Sequence, residues 1–251
     1  MNLMRASLVA LLILVAAPLA NLFFAVTPDA LGAALAAPAT AGALRTSLFA
    51  SLACVVLATA LGVPAGYALA RGTAYVRGIA LAILAIPLAL PPVASGIALL
   101  GFVGTRQGLG GFLGAHGIVI VDSFAGVALA EFFVSGSVVA IAATAAFTEV
   151  DRTLEEAART LGAGTGRVLL TVALPLAAPS IGAGIVLAWL RAIGEYGATS
   201  IVAYHPTSLP IELVDALSAD GIPRALALSE AFVAFTAAIA CVAALARRRL
   251  V

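Results

Sequence analysis

The chain has 251 residues, of which 63% are hydrophobic and only 10% charged, with a formal net charge of +1. A soluble domain carries roughly 25% charged residues, so these few charges cannot cover a water-facing surface, and the implied solvent is a lipid bilayer. The neutral balance leaves no basic footprint for nucleic acid. All basic residues are Arg, which removes both the Walker A lysine and a Schiff-base amine.

Six runs are long and apolar enough for a helix of about 20 residues to cross a bilayer: 7–26, 47–70, 79–103, 124–146, 177–203 and 225–246. Such uninterrupted runs exclude a β-barrel, whose strands must alternate. The first run has Arg5 on its flank and a weakly cleavage-like Pro18-Leu-Ala-Asn21. It exceeds the 7–15 apolar residues of a secretory signal, so a retained helix is expected. The second run contains Gly62-Val-Pro-Ala-Gly66, a small-xxx-small spacing that lets helices approach closely. Pro64, Pro87, Pro91 and Pro92 interrupt the second and third runs. A proline removes a backbone donor, and protein or water must satisfy the freed carbonyl. The sequence IPLALPP at 86–92 therefore reads either as a bend facing the bundle interior or as a plain kink. Cys54 and Cys241 fall in apolar runs and read as packing residues. His116 and His205 lie far apart in expected loops, and nothing has metal-ligand spacing.

Between the fourth and fifth runs, residues 149–175 are charged and punctuated by glycine. Asp151 or Thr153 can cap a helix here, and Thr153-x-x-Glu156 has capping-box spacing. Glu155 and Glu156 stand in the first turn, where the helix dipole favours anions. Leu154, Ala157, Ala158 and Leu161 follow the i, i+3, i+4, i+7 rule and form one apolar stripe, with alanines small enough for a partner to come close. Glu155 and Arg159 are i,i+4 partners on its flank, a pairing of about 0.2–0.5 kcal/mol. Gly162 is placed to end the helix in a left-handed turn. A second short helix follows, and Pro175 leads back to the bilayer. On these residues alone the segment is an amphipathic interfacial helix. The run GAGTGR at 162–167 resembles a phosphate loop only superficially, because it lacks the GK[ST] ending and follows no strand.

In the fifth run, Arg191 and Glu195 are the main ionisable residues inside a span. Intramembrane charges are costly and point to function. At i,i+4 they can pair, either as a brace for a helix or subunit seam, or with Arg191 lining an anion path whose binding must stay weak. Thr199 and Ser200 offer hydroxyls that suit an oxyanion or, equally, helix–helix contacts. Glu131 and Asp122 receive no role. The Arg distribution orients the spans. Arg5, Arg71, Arg77, Arg152, Arg159, Arg167, Arg247, Arg248 and Arg249 fall on one side, and Arg45, Arg106 and Arg224 on the other. Nine against three makes the first side cytoplasmic, with both termini there.

Glu156-Ala157-Ala158, three residues, Gly162, nine residues, Val172, one residue and Leu174-Pro175 resemble the EAA loop of ABC-importer permeases, with Val172 in place of Ile. The resemblance implies a coupling helix that docks on a separate ATPase, with Glu155, Glu156, Ala157, Ala158, Leu161 and Gly162 as its candidate residues. Arg191-Ala-Ile-Gly-Glu195-Tyr-Gly-Ala-Thr199 is similar to a segment of oxyanion-importer permeases. The following IVAYHPTSLP at 201–210 is closer to the molybdate/tungstate branch than to the sulfate one. Arg45-Thr-Ser-Leu, the Gly62–Arg71 stretch and 86–92 fit the general permease pattern, so the likeness covers about 45–210. It implies an all-α integral membrane protein of the type I importer fold, with one membrane domain over 1–251 and its core at about 45–246. It also implies a plasma-membrane homodimer with ten or more spans around a central pathway and two copies of an ATP-binding subunit, which carries the ATP and Mg. An extracytoplasmic oxyanion-binding protein would do most of the selecting, and no cofactor is expected in this chain. Sulfate is the alternative substrate.

Two other classes compete. A secondary transporter needs midplane carboxylates or broken helices for its coupling ion, and Glu131 and Glu195 are the candidates. An intramembrane enzyme would need a metal pair, a Ser–His pair or paired aspartates, and the spans show none of these.

Overall fold

The computed structural model describes residues 2–105 and 108–248, with side chains over 4–105 and 108–242. Arg106 and Arg249, two of the charges that orient the spans, lie outside the described residues, as do the side chains of Arg247 and Arg248. Among the described residues the chain is helical throughout. The order is α1 (Asn2–Ala25), α2 (Pro28–Ala36), α3 (Pro38–Arg71), α4 (Ala74–Ala89), α5 (Pro92–Val103), α6 (Gly108–Ala115) and α7 (Phe124–Glu149). Then come α8 (Arg152–Thr160), α9 (Thr165–Val168), a π-helical turn (Leu169–Ala173), α10 (Leu174–Ile193), α11 (Gly197–Val202), α12 (Leu209–Ala219) and α13 (Ile222–Arg248). Among the described residues five helices are long and apolar enough to span a bilayer, and the α4–α5 pair makes a sixth if taken as one broken span.

The centre of the bundle is α7, which packs along α3 on one side and α10 on another. Small residues make this possible. A side chain on Gly62 would meet the Ala140 backbone at 3.0 Å, and one on Gly66 would meet Ala143 and Thr144 at 2.5–2.8 Å. The small-xxx-small spacing thus acts as expected, with α3 lying directly against α7. Pro64 sits inside α3 without ending it. At the α8 end of α3 and α7, the core is Tyr67, Ala70, Ala143, Phe147, Ala173 and Ile181. Along the rest of α7, Ala130 and Val134 pack with Leu99, Val103, Ala198 and Val202. By contrast, none of the apolar window of α1 is buried within the chain, as befits a helix whose surroundings are lipid or another subunit.

Two expected spans differ from the structure. The third run, 79–103, is not one helix: α4 and α5 meet at 110°. Pro91 and Pro92 are adjacent, and neither can donate to the preceding turn, so the helix stops at Ala89 and restarts at Pro92. Most of 86–92 is exposed within this chain rather than turned to its interior. The fifth run, 177–203, begins earlier and ends earlier. Its helix starts at Thr165 and ends at Ile193. Gly194 closes it, and residues 197–202 form the separate helix α11, packed on α5. There the Gly197 backbone lies against Pro92. Cys54 is buried as expected, whereas Cys241 is exposed.

Candidate functional site

The sequence-predicted site residues fall in two polar features: the α8 segment and the break between α10 and α11. Helix α8 starts at Arg152 because Asp151 caps it, its carboxylate accepting the Thr153 amide at 2.9 Å. Thr153 therefore lies inside the first turn, and the expected Thr153–Glu156 box gives way to the Asp151 cap. That hydrogen bond holds the Asp151 carboxyl below its ordinary value. The helix ends as expected. Gly162 has φ +88°, its amide donates to Arg159 O at 2.9 Å, and the Ala163 amide donates to Ala158 O at 3.1 Å. This bond pair is a Schellman motif.

The two sides of α8 differ. Leu154, Ala157 and Leu161 are exposed, Leu161 at 89%, Glu156 is exposed beside them, and Ala158 is half-buried. The apolar stripe is thus uncovered within the chain. Glu155, about 100° around the helix from Leu154, is only 1% exposed. The expected i,i+4 pair with Arg159 is present, but it is not a surface flank pair, because Glu155 points into the bundle. Its Oε1 accepts from Arg71 Nε at 3.0 Å and also from Arg71 Nη2. Its Oε2 accepts from Tyr67 Oη at 2.8 Å and Arg159 Nη2 at 3.2 Å. Four donors fill the acceptor sites of one carboxylate. Burial alone would raise the Glu155 carboxyl, but hydrogen bonds from Arg71 and Tyr67 and the charges of Arg71 and Arg159 hold it below the ordinary glutamate value.

Arg71 also donates to Phe147 O at 2.8 Å and Val150 O at 3.3 Å, two carbonyls at the C-terminal end of α7, where the last turn lacks a full set of intrahelical donors. Arg152 returns the favour to α3 by donating to Ala70 O at 3.2 Å. The Tyr67 ring meets Phe147 edge-on at 5.2 Å and lies 5.6 Å from the Arg71 guanidinium.

At the second feature the structure brings Arg191, Glu195 and Thr199 together. Arg191 Nη1 donates to Glu195 Oε2 at 2.6 Å. The Arg191 side chain is 39% exposed, whereas that of Glu195 is 1% exposed. Glu195 Oε1 accepts the Ala198 amide at 2.8 Å and so caps α11. The buried Thr199 hydroxyl is used locally, with Glu195 O at 2.7 Å and Tyr196 O at 3.2 Å as its acceptors. Among the described residues no cluster of His, Cys, Asp and Glu could hold a metal.

Residues 58–250 match the family described as the binding-protein-dependent transport system inner membrane component. The chain belongs to this family. It is the membrane subunit of an ABC importer, and ATP hydrolysis belongs to a separate subunit rather than to this permease. A Haloferax volcanii protein assigned to molybdenum ABC transport as a permease is 39% identical over 196 residues, 78% of this chain and 71% of its own. The molybdate/tungstate transport system permease of Thermococcus kodakarensis is 35% identical, covering 80% and 77% of the two chains. The molybdenum transport system permease of Mycobacterium tuberculosis is 36% identical over 80% and 78%. Among solved structures, a bacterial ABC transporter that imports the acidic polysaccharide alginate has a TM-score of 0.73 at 15% identity, over 99% of this chain and 94% of the other. The methionine ABC transporter in an inward-facing conformation has a TM-score of 0.66 at 16% identity, over 83% and 94%. These two establish the importer fold of the permease.

Sequence reasoning missed Tyr67 and Arg71 as members of the site. In the sequence, Arg71 stands out as a topological charge and as the end of the Gly62–Arg71 stretch, not as a site residue. The available signal was a Tyr and an Arg four residues apart at a helix end, one turn beyond the Gly62–Gly66 contact that places them over α7.

Proposed function

We propose that the permease imports a tetrahedral oxyanion, molybdate or tungstate, as the pore half of a homodimer worked by two ATP-binding subunits. An extracytoplasmic binding protein would deliver the anion. Both termini and α8 face the cytoplasm, in accord with the nine-to-three Arg bias. The observation that carries this reading is the uncovered stripe of Leu154, Ala157 and Leu161 on a helix whose other side is tied to the bundle. A docking helix needs both properties: an apolar face to bury in a socket and a rigid connection to the spans. Kinship to permeases named for molybdate and tungstate favours those anions over sulfate.

For the break at Gly194, the geometry supports a brace. Glu195 and Thr199 spend their polar atoms on the helix turn, and Arg191 neutralises Glu195 while keeping one edge of its guanidinium exposed. That edge is the part of the trio that can meet a passing dianion. The reading is tested by uptake of molybdate, tungstate and sulfate into proteoliposomes holding the permease, its ATPase and its binding protein. Competition by tungstate but not sulfate is expected. Uptake of molybdate without the ATPase would overturn it in favour of secondary transport.

A further inference from the structure

A push on α8 has two covalent routes into the membrane, and neither leads to α3. One runs through Val150 and Asp151 into α7. The other runs through α9 and the π-helical turn into α10. The second route is compliant: Gly162, Gly164 and Gly166 lie along it, and the π-helical turn Leu169–Ala173 comes just ahead of Pro175. Helix α3 lies more than 80 residues away in sequence and touches α7 through small, smooth residues at Gly62 and Gly66. Apolar packing of that kind resists separation but offers no directional bond against sliding.

At the α8 end of the bundle, Arg71 closes this gap, with Tyr67 and Arg152 beside it. The Arg71 guanidinium reaches three helix ends at once: its own α3, the carbonyls of Phe147 and Val150 at the end of α7, and Glu155 of α8. It is 14% exposed, and its carboxylate partner 1%. Two nitrogens of the Arg71 fork, Nε and Nη2, converge on the single oxygen Oε1 of Glu155. Another edge of the same planar group holds the α7 carbonyls, so the guanidinium plane is fixed by partners on two helices. Tyr67, one turn earlier on α3, bonds the second oxygen of the same carboxylate. Arg152 of α8 bonds Ala70 O of α3 in the reverse direction.

We propose that the Arg71–Glu155 clamp makes α3, α7 and α8 one lever, with the π-helical turn before α10 as its joint, so that Arg71 is a positioning residue for coupling though it touches neither nucleotide nor substrate. This rests on the reading of α8 as the helix that docks on the ATPase. Glu155, on this view, serves the permease's own spans, and docking is left to Leu154, Ala157 and Leu161.

The test uses the complete importer in proteoliposomes with molybdate as the probe. Arg71→Met and Glu155→Gln are each expected to keep the ATPase subunit bound within twofold while raising the ATP consumed per molybdate imported at least tenfold. Because one interaction is broken in both, the double variant should lie within twofold of the worse single one. Arg71→Lys, which keeps the charge but not the fork, should fall between wild type and Arg71→Met and serves as the assay if Arg71→Met fails to assemble. A spin-label pair at Ala68→Cys on α3 and Thr160→Cys on α8, with Cys241→Ser, should give a narrow shortest distance, that within one protomer, which ATP leaves unchanged and Arg71→Lys broadens. Tight coupling in Arg71→Met, multiplied effects in the double variant, or loss of the ATPase subunit from Glu155→Gln would overturn the clamp. Leu161→Asp separates the two ideas. It should release the ATPase subunit, and its failure to do so would sink the docking reading, whatever the clamp variants show.

Discussion

The Arg–Glu pairs at α8 and at the α10–α11 break differ in their surroundings. In each the carboxylate is buried and an arginine sits four residues away. At the α10–α11 break, Arg191, Glu195 and Thr199 bond only among themselves and to nearby backbone, so the arrangement belongs to one stretch of chain. At α8, the local partner Arg159 is a minor member. The stronger bonds come from Tyr67 and Arg71, 88 and 84 residues away. The first pair shapes a helix turn, and the second joins three helices. Chemistry that looks alike in sequence therefore does a local task in one place and a long-range one in the other.

Removing the carboxylates should expose this difference most strongly. Glu155→Ala removes the carboxylate that Arg71 and Tyr67 share and leaves the mostly buried Arg71 charge without its counter-ion, and breaking a buried pair in this way costs about 3–5 kcal/mol. Thermal unfolding of the detergent-solubilised importer should show a large loss. Gly66→Val attacks the helix contact beneath the clamp, and overpacking there should cost about 1–3 kcal/mol and separate α3 from α7. Gly162→Ala forces a side chain into the left-handed turn at about 1–2 kcal/mol, and hydrogen exchange should show fraying confined to the end of α8. Glu195→Gln keeps an oxygen for the Ala198 amide and loses a pair whose arginine is well exposed, so about 1 kcal/mol or less is expected. A stability loss at Glu195 equal to that at Glu155 would erase the contrast.

Acid sharpens the same comparison at the smallest scale. The folded value of Glu155 lies below its ordinary 4.5. Its contribution is therefore fully present at neutral pH and is lost as pH falls through the depressed folded value. The gap in unfolding temperature between wild type and Glu155→Gln should stay constant from neutral pH down to about 4.5 and shrink below it. A gap that shrinks between pH 7 and 6 would show that the clamp does not hold Glu155 as a stabilised carboxylate.

How much of this was legible in the sequence follows from what kind of information each feature carries. The spans around α3, α7 and α13 could be read because long apolar runs need a bilayer. The breaks at Pro91 and Gly194 were blurred because an apolar run records no phase: residues before and after a bend are equally greasy. Around α8, the apolar stripe and the Gly162 turn follow from local spacing and were readable. The burial of Glu155 was not, since no local rule links it to Arg71, and i,i+4 arithmetic pointed to Arg159 alone. The Asp151 cap displaced the Thr153 box because two adjacent candidates differed by one register step that local rules do not decide.

The proposed coupling depends most on α8 presenting its stripe to the ATPase. Cysteine placed at Leu161, with Cys241→Ser, allows a short bifunctional reagent to be applied to the intact importer in membranes. The expected result is a covalent adduct between the permease and the ATPase subunit, weakened when ATP-driven closure shifts the socket. No adduct at Leu161, together with ready labelling of that cysteine by an impermeant reagent added outside intact cells, would contradict the account.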